Sequence, residues 1–510
     1  MSRPGVLLRW CVPDLAFATA CVTLFYCLFL FQGYQKLFRD SDAGWHIRTG
    51  EAILATGNLP RTDPYSFTRG GQPWFAWEWL ADVGVGAIHR AFGLRGVAVF
   101  YAAAISAGVW LWFRLHWALG GNFLIACAMA PLLLSTCNIH WLARPHVLSW
   151  IFLLLAVFPR KPNLWVVACV TALWANIHAS FFLAPVIALL FALEDRWYLK
   201  AAAVAAVAPL LNPYGPKLYV HVFRYLTDSD LLARIGEFQS FDFHSAGAGQ
   251  ILATVILGMV GGTLALTDKR FHHFALAILI TALALRSARA LPLVALLLLP
   301  IANGAITRWL NAIVESNRSL TVAAPMEFRD APIRDAPIGD GPIGAATVRE
   351  RLVGRAVSPA TFLAYSNSLR AQDARFGGLA LAPVILVVAF WLTPAGAFPA
   401  DQFPVAAYTH IPAGARLFAP DKFGGYLIYR SNGSLKVFFD GRSDLYGADF
   451  LKRYSRLVQV RPGWREYWES FHFTHALAPA DAPLLPALEQ IGWRPIYQDK
   501  TATLLAFGGT

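Results

Sequence analysis

The chain has 510 residues, 56% of them hydrophobic and 15% charged, with a formal net charge of +12. Soluble globular domains average about 25% charged residues, so this composition excludes that class and predicts an α-helical polytopic membrane protein. The positive balance reads as topology and contact with anionic lipid; no basic stripe with interleaved aromatics is present, so no nucleic-acid partner is expected.

Arg3 and Arg9 precede an apolar span over residues 12–37, long enough to cross a bilayer. It has no small-residue cleavage site and reads as a retained first helix with the N-terminus inside. Residues 38–96 form a first outer loop. Within it, residues 78–92 are amphipathic and read as a helix lying on the membrane. Further spans are expected at 97–113 and 123–136, then from 147 to the basic turn Arg160-Lys161. Others exit at 176–178, return to 194–200, exit at 212–215, run from 251 to 268, exit at 286–289 and return by 308. A last span near 379–392 completes about 11 transmembrane helices. The six cysteines, at positions 11, 21, 27, 127, 137 and 169, lie in or beside these spans, none at metal-ligand spacing.

Residues 1–305 therefore read as the transmembrane module and 306–376 as a cytoplasmic low-complexity linker. The linker carries a degenerate repeat over 329–343, with proline every fifth residue, which forbids a stable helix. Residues 377–396 hold the last transmembrane helix, and 397–510 a small extracytoplasmic α/β domain. In that domain strands are predicted at 436–440 and 474–478, helices at 449–458, 464–471 and 483–491, and a closing hairpin over 494–506.

The outer loops hold the residues with chemical potential. Asp40, Asp42 and His46 follow the first span; Asp42 is positioned either to cap a helix over 43–55 or to do chemistry. Asp63, before Pro64, reads as a turn former. Glu78 stands among Trp74, Trp77 and Trp79 as a substrate-binding or helix-clamping group. His140, Arg144, His146, Asn176, His178, Asn212, Tyr214, Glu237, Asp242, Arg286 and Arg289 come from later outer loops. A single arginine at a helix mouth snorkels to lipid phosphate. Several at one level form a phosphate-binding cluster, because guanidinium forks fit phosphate bidentately.

An acidic first outer loop with membrane-lying helices, an arginine-bearing second loop and an outer C-terminal domain resemble the GT-C superfamily of glycosyltransferases. Protein O-mannosyltransferases, lipid A aminoarabinose transferases and oligosaccharyltransferase catalytic subunits belong to it. More narrowly, Asp42…Trp45-His46-Ile47…Gly50-Glu51, Thr62-Asp63-Pro64-Tyr65-Ser66-Phe67, Ala143-Arg144-Pro145-His146, Trp174-Ala175-Asn176-Ile177-His178, Leu211-Asn212-Pro213-Tyr214-Gly215 and Gly424-Gly425-Tyr426-Leu427…Asp440-Gly441-Arg442 resemble a bacterial group of GT-C-like integral membrane proteins. That group brings no substrate.

The superfamily resemblance implies an enzyme of the bacterial inner membrane. It would move a sugar from a polyprenyl-phosphate carrier to a glycan, lipid or protein acceptor of the envelope. Asp42 would be the general base or acceptor-orienting group, tuned by Asp40 or His46. Arg144, Arg286 or Arg289 would stabilise the leaving phosphate, and Glu78, His146, His178 and Glu237 would line the substrate site. Metal-using members carry carboxylates where this chain has Arg144 and His146, so no cofactor is expected and a divalent metal is disfavoured. In the tail, Asp440-Gly441-Arg442 and Asp444 either close over the cavity or form a tight turn with a salt bridge. The alternatives are a non-catalytic envelope assembly protein and a transporter of lipid-linked substrates; the latter needs ionisable residues in mid-span, and the chain has few. A single site requires two or more of Arg144, His146, Arg286 and Arg289 to converge beside Asp42, with an anion or carboxylate between them.

Overall fold

The computed structural model describes residues 10–323, 359–372 and 377–508. It is mostly helical, with a small sheet near the C-terminus. Among the described residues, three helical stretches are long and apolar enough to cross a membrane: Trp79–Ala118, Ala248–Thr267 and Ala288–Ser316. Shorter apolar helices, among them Leu15–Phe29, Phe123–Asn138 and Phe271–Arg286, pack around them.

Helix α1 (Leu15–Phe29) begins where the Asp14 carboxylate accepts the Phe17 N–H at 2.8 Å. It ends earlier than the apolar run does. Phe31 and Gly33 both take positive φ, and a 3₁₀ turn over Gly33–Phe38 folds the chain back. Lys36 is buried in this turn and donates to the Tyr26 carbonyl at 2.5 Å. Helix α2 (Asp42–Thr56) follows. Helix α3 (Trp79–Ala118) is two helices joined at Gly93, whose φ of 62° and ψ of −163° are open to glycine and costly for a side chain. The kink separates the amphipathic stretch expected on the membrane from the apolar stretch expected to span.

Five further helices follow in order: α4 (Phe123–Asn138), α5 (His146–Ala156), α6 (Leu164–Ile177), α7 (Leu183–Phe191) and α8 (Trp197–Val207). Asn122 and Asn163 cap α4 and α6 with their side-chain oxygens. After α9 (Lys217–Thr227) come α10 (Ala248–Thr267), α11 (Phe271–Arg286) and α12 (Leu299–Ala323). The Trp112 indole of α3 donates to the Ala295 carbonyl at 2.9 Å, tying the two long apolar stretches together.

The segment read as a linker is helical at both described ends: α12 continues to Ala323, and α13 covers Pro359–Gln372. The helical propensity of 306–323, which holds no proline, outweighs its polarity. The proline repeat over 329–343 lies outside the described residues. Helix α14 (Ala382–Leu392) leads into the tail.

The tail contains β1 (Leu417–Phe418), α15 (Asp421–Arg430), α16 (Ser443–Val458), α17 (Trp464–Glu469), β2 (His475–Pro479), α18 (Leu484–Gln490), β3 (Trp493–Gln498) and β4 (Ala502–Phe507). The sheet order is β1-β2-β4-β3, with β1 parallel to β2 and the other pairs antiparallel. The predicted hairpin is β3–β4. The predicted strand over 436–440 is not part of this sheet. Val437 instead bridges the first outer loop: its N–H donates to Tyr65 at 3.0 Å, and its carbonyl accepts from Phe67 at 3.1 Å.

A buried ion triad reinforces that seam. Arg442 grips Asp440 bidentately at 2.8 and 2.7 Å and reaches Asp63 at 2.8 Å. All three are at most 3% exposed. Asp63 is also the expected turn former, accepting the N–H groups of Tyr65 and Ser66 at 3.0 Å each. The tail thus packs on the first loop at the end of the bundle where Asp42 lies. Arg442→Ala strands two buried carboxylates and is expected to cost about 3–5 kcal/mol. The thermal unfolding midpoint of the detergent-solubilised protein should fall accordingly, and Asp63→Asn in the same background should recover part of the loss.

Candidate functional site

Asp42 opens α2, but it does not cap it. The Asp42 N–H is taken by the Asp40 carboxylate at 2.9 Å. The Asp42 carboxylate turns instead toward Arg144, at 3.0 Å. Arg144 stands in the turn before α5, a turn held against the first loop by the Ala143 N–H donating to the Leu37 carbonyl at 2.8 Å. Its other terminal nitrogen meets Asp40 at 2.7 Å and Glu237 at 3.0 Å. The second Glu237 oxygen meets Arg289 at 3.5 Å. Ser287 and Ala288 tie the Arg289 loop to the Glu237 loop, donating to the carbonyls of Glu237 and Gln239 at 3.0 and 2.8 Å.

Two of the four cations expected to converge therefore do so, Arg144 and Arg289, with the Glu237 carboxylate between them. Arg286 lines the same cavity but is exposed and forms no ion pair among the described residues. His146 lines it too, with Nε2 within 2.8 Å of the His140 carbonyl. Asn176 is structural: it accepts the Trp79 indole N–H at 2.8 Å and donates to the Ala172 and Leu211 carbonyls.

A second polar chain runs beside the first. His46 Nδ1 lies 2.6 Å from Asp82, and its Nε2 lies 3.7 Å from Glu78. Glu78 in turn lies 3.6 Å from His178 Nε2. Asp82 and His46 are 1% and 2% exposed, so the close bond between them stands in for water. The Trp45 ring lies against His46, 3.6 Å between centroids and tilted by 31°.

Burial and mutual repulsion set the charges here. Burial, then the neighbouring Asp40, push Asp42 up to about 7 against the pull of Arg144. Burial likewise pushes Glu78 up to about 7, opposed by Arg144. Burial disfavours a charged Arg144, but Asp40, Asp42 and Glu237 outweigh it and keep the guanidinium charged. Burial also acts on Glu237, yet Arg144 and Arg289 hold it well below the usual carboxylate range. Burial, then Arg144, keep the His46 ring neutral.

Of these groups, Asp42, Glu78, Arg144 and Arg289 line a cavity of about 650 Å³. One wall comes from the tail: Gly441, Ser443 and Asp444. A Cβ on Gly441 would run into the Asp42 carboxylate, so the tail's backbone approaches as closely as a glycine allows. Tyr225 bonds Ser443 at 3.1 Å, and His221 lies 3.2 Å from Asp444. The Asp440-Gly441-Arg442 segment therefore does both things expected of it, a salt-bridged turn and a cavity wall. Asp82, Tyr225 and His221 carried no site signal in the sequence. An acid on the polar face of an amphipathic helix looks ordinary until its partner is known. Among the described residues, no three of His, Cys, Asp or Glu are arranged to hold a metal ion; the three carboxylates at the centre surround a guanidinium.

No family model matches the chain, and no curated protein does. Among solved structures the chain is similar to the archaeal oligosaccharyltransferase of Archaeoglobus fulgidus in complex with an inhibitory peptide and a dolichol-phosphate. The two are 12% identical with a TM-score of 0.49, over 91% of this chain and 69% of that one. The oligosaccharyltransferase of the same organism tethered to an acceptor peptide (12%, TM-score 0.48) and in its apo form (11%, TM-score 0.48) match over the same shares. Oligosaccharyltransferases are among the members of the superfamily that the sequence resembles.

Glu237→Gln takes the counter-charge from between Arg144 and Arg289. Inorganic pyrophosphate binding, followed by calorimetry on the solubilised protein, is expected to tighten about tenfold, or ~1.4 kcal/mol. Unchanged affinity would mean the two guanidiniums do not share an anion.

Proposed function

We propose that this protein is a membrane glycosyltransferase that moves a sugar from a polyprenyl-phosphate carrier to an envelope acceptor. The observation that supports it best is the pairing of Arg144 and Arg289 around one carboxylate, in the cavity that Asp42 faces. The carrier phosphate takes the place of the Glu237 carboxylate between the two guanidiniums, as a bidentate anion. Trp150, Leu153, Phe182 and Leu293 of the same cavity give the prenyl chain an apolar path. Asp42 accepts the proton of an acceptor hydroxyl as its oxygen bonds to the anomeric carbon. The bond from that carbon to the phosphate oxygen breaks, and the phosphate leaves with the electron pair, its charge met by Arg144 and Arg289. Engaging the phosphate draws Arg144 away from Asp42 and makes Asp42 a better base at the moment it is needed.

In this reading the shorter apolar helices complete an eleven-span bundle in the bacterial inner membrane. The N-terminus is cytoplasmic, and the Asp42 loop and the tail share the outer face. Contact between Gly441 and Asp42 and between Arg442 and Asp63 supports the last point.

Proteoliposomes holding the protein and radiolabelled polyprenyl-phosphate sugars test the reaction. Asp42→Asn is nearly isosteric and is expected to lower turnover by about 10²–10⁴ while leaving carrier binding intact. Wild-type turnover in that variant would move the base elsewhere. No carrier binding by the wild type would favour the non-catalytic assembly reading.

The pH profile has a defined sign. A base whose midpoint is pushed up to about 7 is protonated and idle below it, so kcat/KM should rise with pH and level off above about 7. Asp40→Asn removes a repelling charge, so the rise should shift to lower pH. The apparent midpoint belongs to the carboxylate group as a whole.

A further inference from the structure

A second cavity, of about 680 Å³, lies at the other end of the same three helices. His146, Ser149, Trp150 and Leu153 of α5 face the first cavity, whereas Phe152, Leu155 and Ala156 face the second. Helix α6 gives Trp174 to the second and is followed by His178 in the first; α7 gives Leu183 to the first and Ala184 and Ala188 to the second. At 1.5 Å per residue, the ends of α5 that serve the two cavities are about 15 Å apart. The stacked rings of Phe152 and Trp174, 5.6 Å between centroids, stand on the second cavity's wall next to Ser180 of the first, which accepts the Trp174 N–H at 3.1 Å.

The lining of the second cavity has a two-part chemistry. Its walls are Val166, Val170, Ala188, Ala201 and similar apolar groups. The charged side chains that line it are both arginines, Arg114 and Arg160, with no carboxylate among the lining residues. Arg114 packs over the rings of Trp110 and Trp117 and pairs with Asp14. Arg160 is exposed and forms no ion pair among the described residues. Trp110, Trp117 and Trp197, the amphipathic aromatics typical of a membrane interface, line it as well. A slot with apolar walls, a tryptophan rim and one arginine, Arg160, in no ion pair among the described residues complements an amphiphile with an acyl tail and an anionic head.

We propose that this second cavity is a binding site for an anionic phospholipid, drawn from the leaflet opposite the Asp42 face. The charge of the lining selects the headgroup, and the apolar walls that α6 and α8 contribute take the acyl chain. The site is separate from the carrier seat because its cations, Arg114 and Arg160, are at the far ends of α3 and α5. The carrier phosphate is accounted for by Arg144 and Arg289.

Thermal unfolding of the purified protein in neutral detergent tests this, titrated with dioleoyl phosphatidylglycerol, dioleoyl phosphatidylcholine or undecaprenyl phosphate. Ligand that binds only the folded state raises the midpoint with concentration, which yields an apparent Kd. Phosphatidylglycerol is expected to bind more tightly than phosphatidylcholine. Arg160→Gln, a surface change that leaves the core untouched, should weaken phosphatidylglycerol about fivefold and leave phosphatidylcholine unchanged. Ala201→Trp, which fills the slot, should abolish the phosphatidylglycerol effect while undecaprenyl phosphate still binds. Equal binding of the two phospholipids, or an Arg160→Gln variant that keeps the full preference, would overturn the proposal. So would loss of undecaprenyl phosphate binding in Ala201→Trp, provided that variant unfolds cooperatively, since the slot would then belong to the carrier.

Discussion

Arg144 is the charge around which this molecule is organised. A guanidinium cannot be neutralised at any ordinary pH, so once buried it has to be surrounded by carboxylates. Asp40 and Asp42 come from the first loop and Glu237 from a loop nearly two hundred residues later. Each would be expensive to bury alone. Together they fix the mouth of α5 against the start of α2 and bring the Arg289 loop alongside. Burial in the same arrangement, with Asp40 adding repulsion at Asp42, is why Asp42 and Glu78 hold protons up to about neutral pH. A structural demand and a chemical opportunity therefore have one origin.

The tail acts as a wall of the site more than as an appended domain. Val437 bridges the first loop, Arg442 is sunk into it, and Gly441 is pressed against the Asp42 carboxylate. Further out, Arg48 Nε donates to the Tyr429 carbonyl at 2.9 Å, and His89 lies between Glu51 and the Tyr429 hydroxyl. These contacts join α2, the first half of α3 and α15 into one body. The cavity is consequently lined by residues of the helical bundle and of the tail together.

Much of this was legible in the chain. Periodicity gave the Gly93 division of α3, because the amphipathic pattern stops where the continuous apolar run begins. Turn residues and alternation gave β2, α18 and the β3–β4 hairpin. The clustering of cations in loops pointed to Arg144, His146, Arg286 and Arg289, of which Arg144 and Arg289 meet through Glu237. What sequence could not supply was pairing. Asp42 stayed open between helix cap and chemical group, because capping is local whereas its actual partner, Arg144, is distant in the chain. The run Lys436–Val437–Phe438–Phe439 has strand composition, yet its hydrogen bonds go to the first loop and not to the tail's own sheet. Asp82 was hidden for the same reason: only the fold reveals that His46 stands against it.

The long-range character of these ion pairs has a consequence for how the protein is made. Arg144 leaves the ribosome long before Glu237, and Asp63 long before Arg442. During synthesis the first loop must hold Asp40, Asp42 and Asp63 in contact with water or lipid headgroups until their partners arrive. The cavity can close only after Arg442 has reached Asp63. Assembly of the site is therefore a late event set by chain order, and the early helices have to wait for it in a loosely joined state.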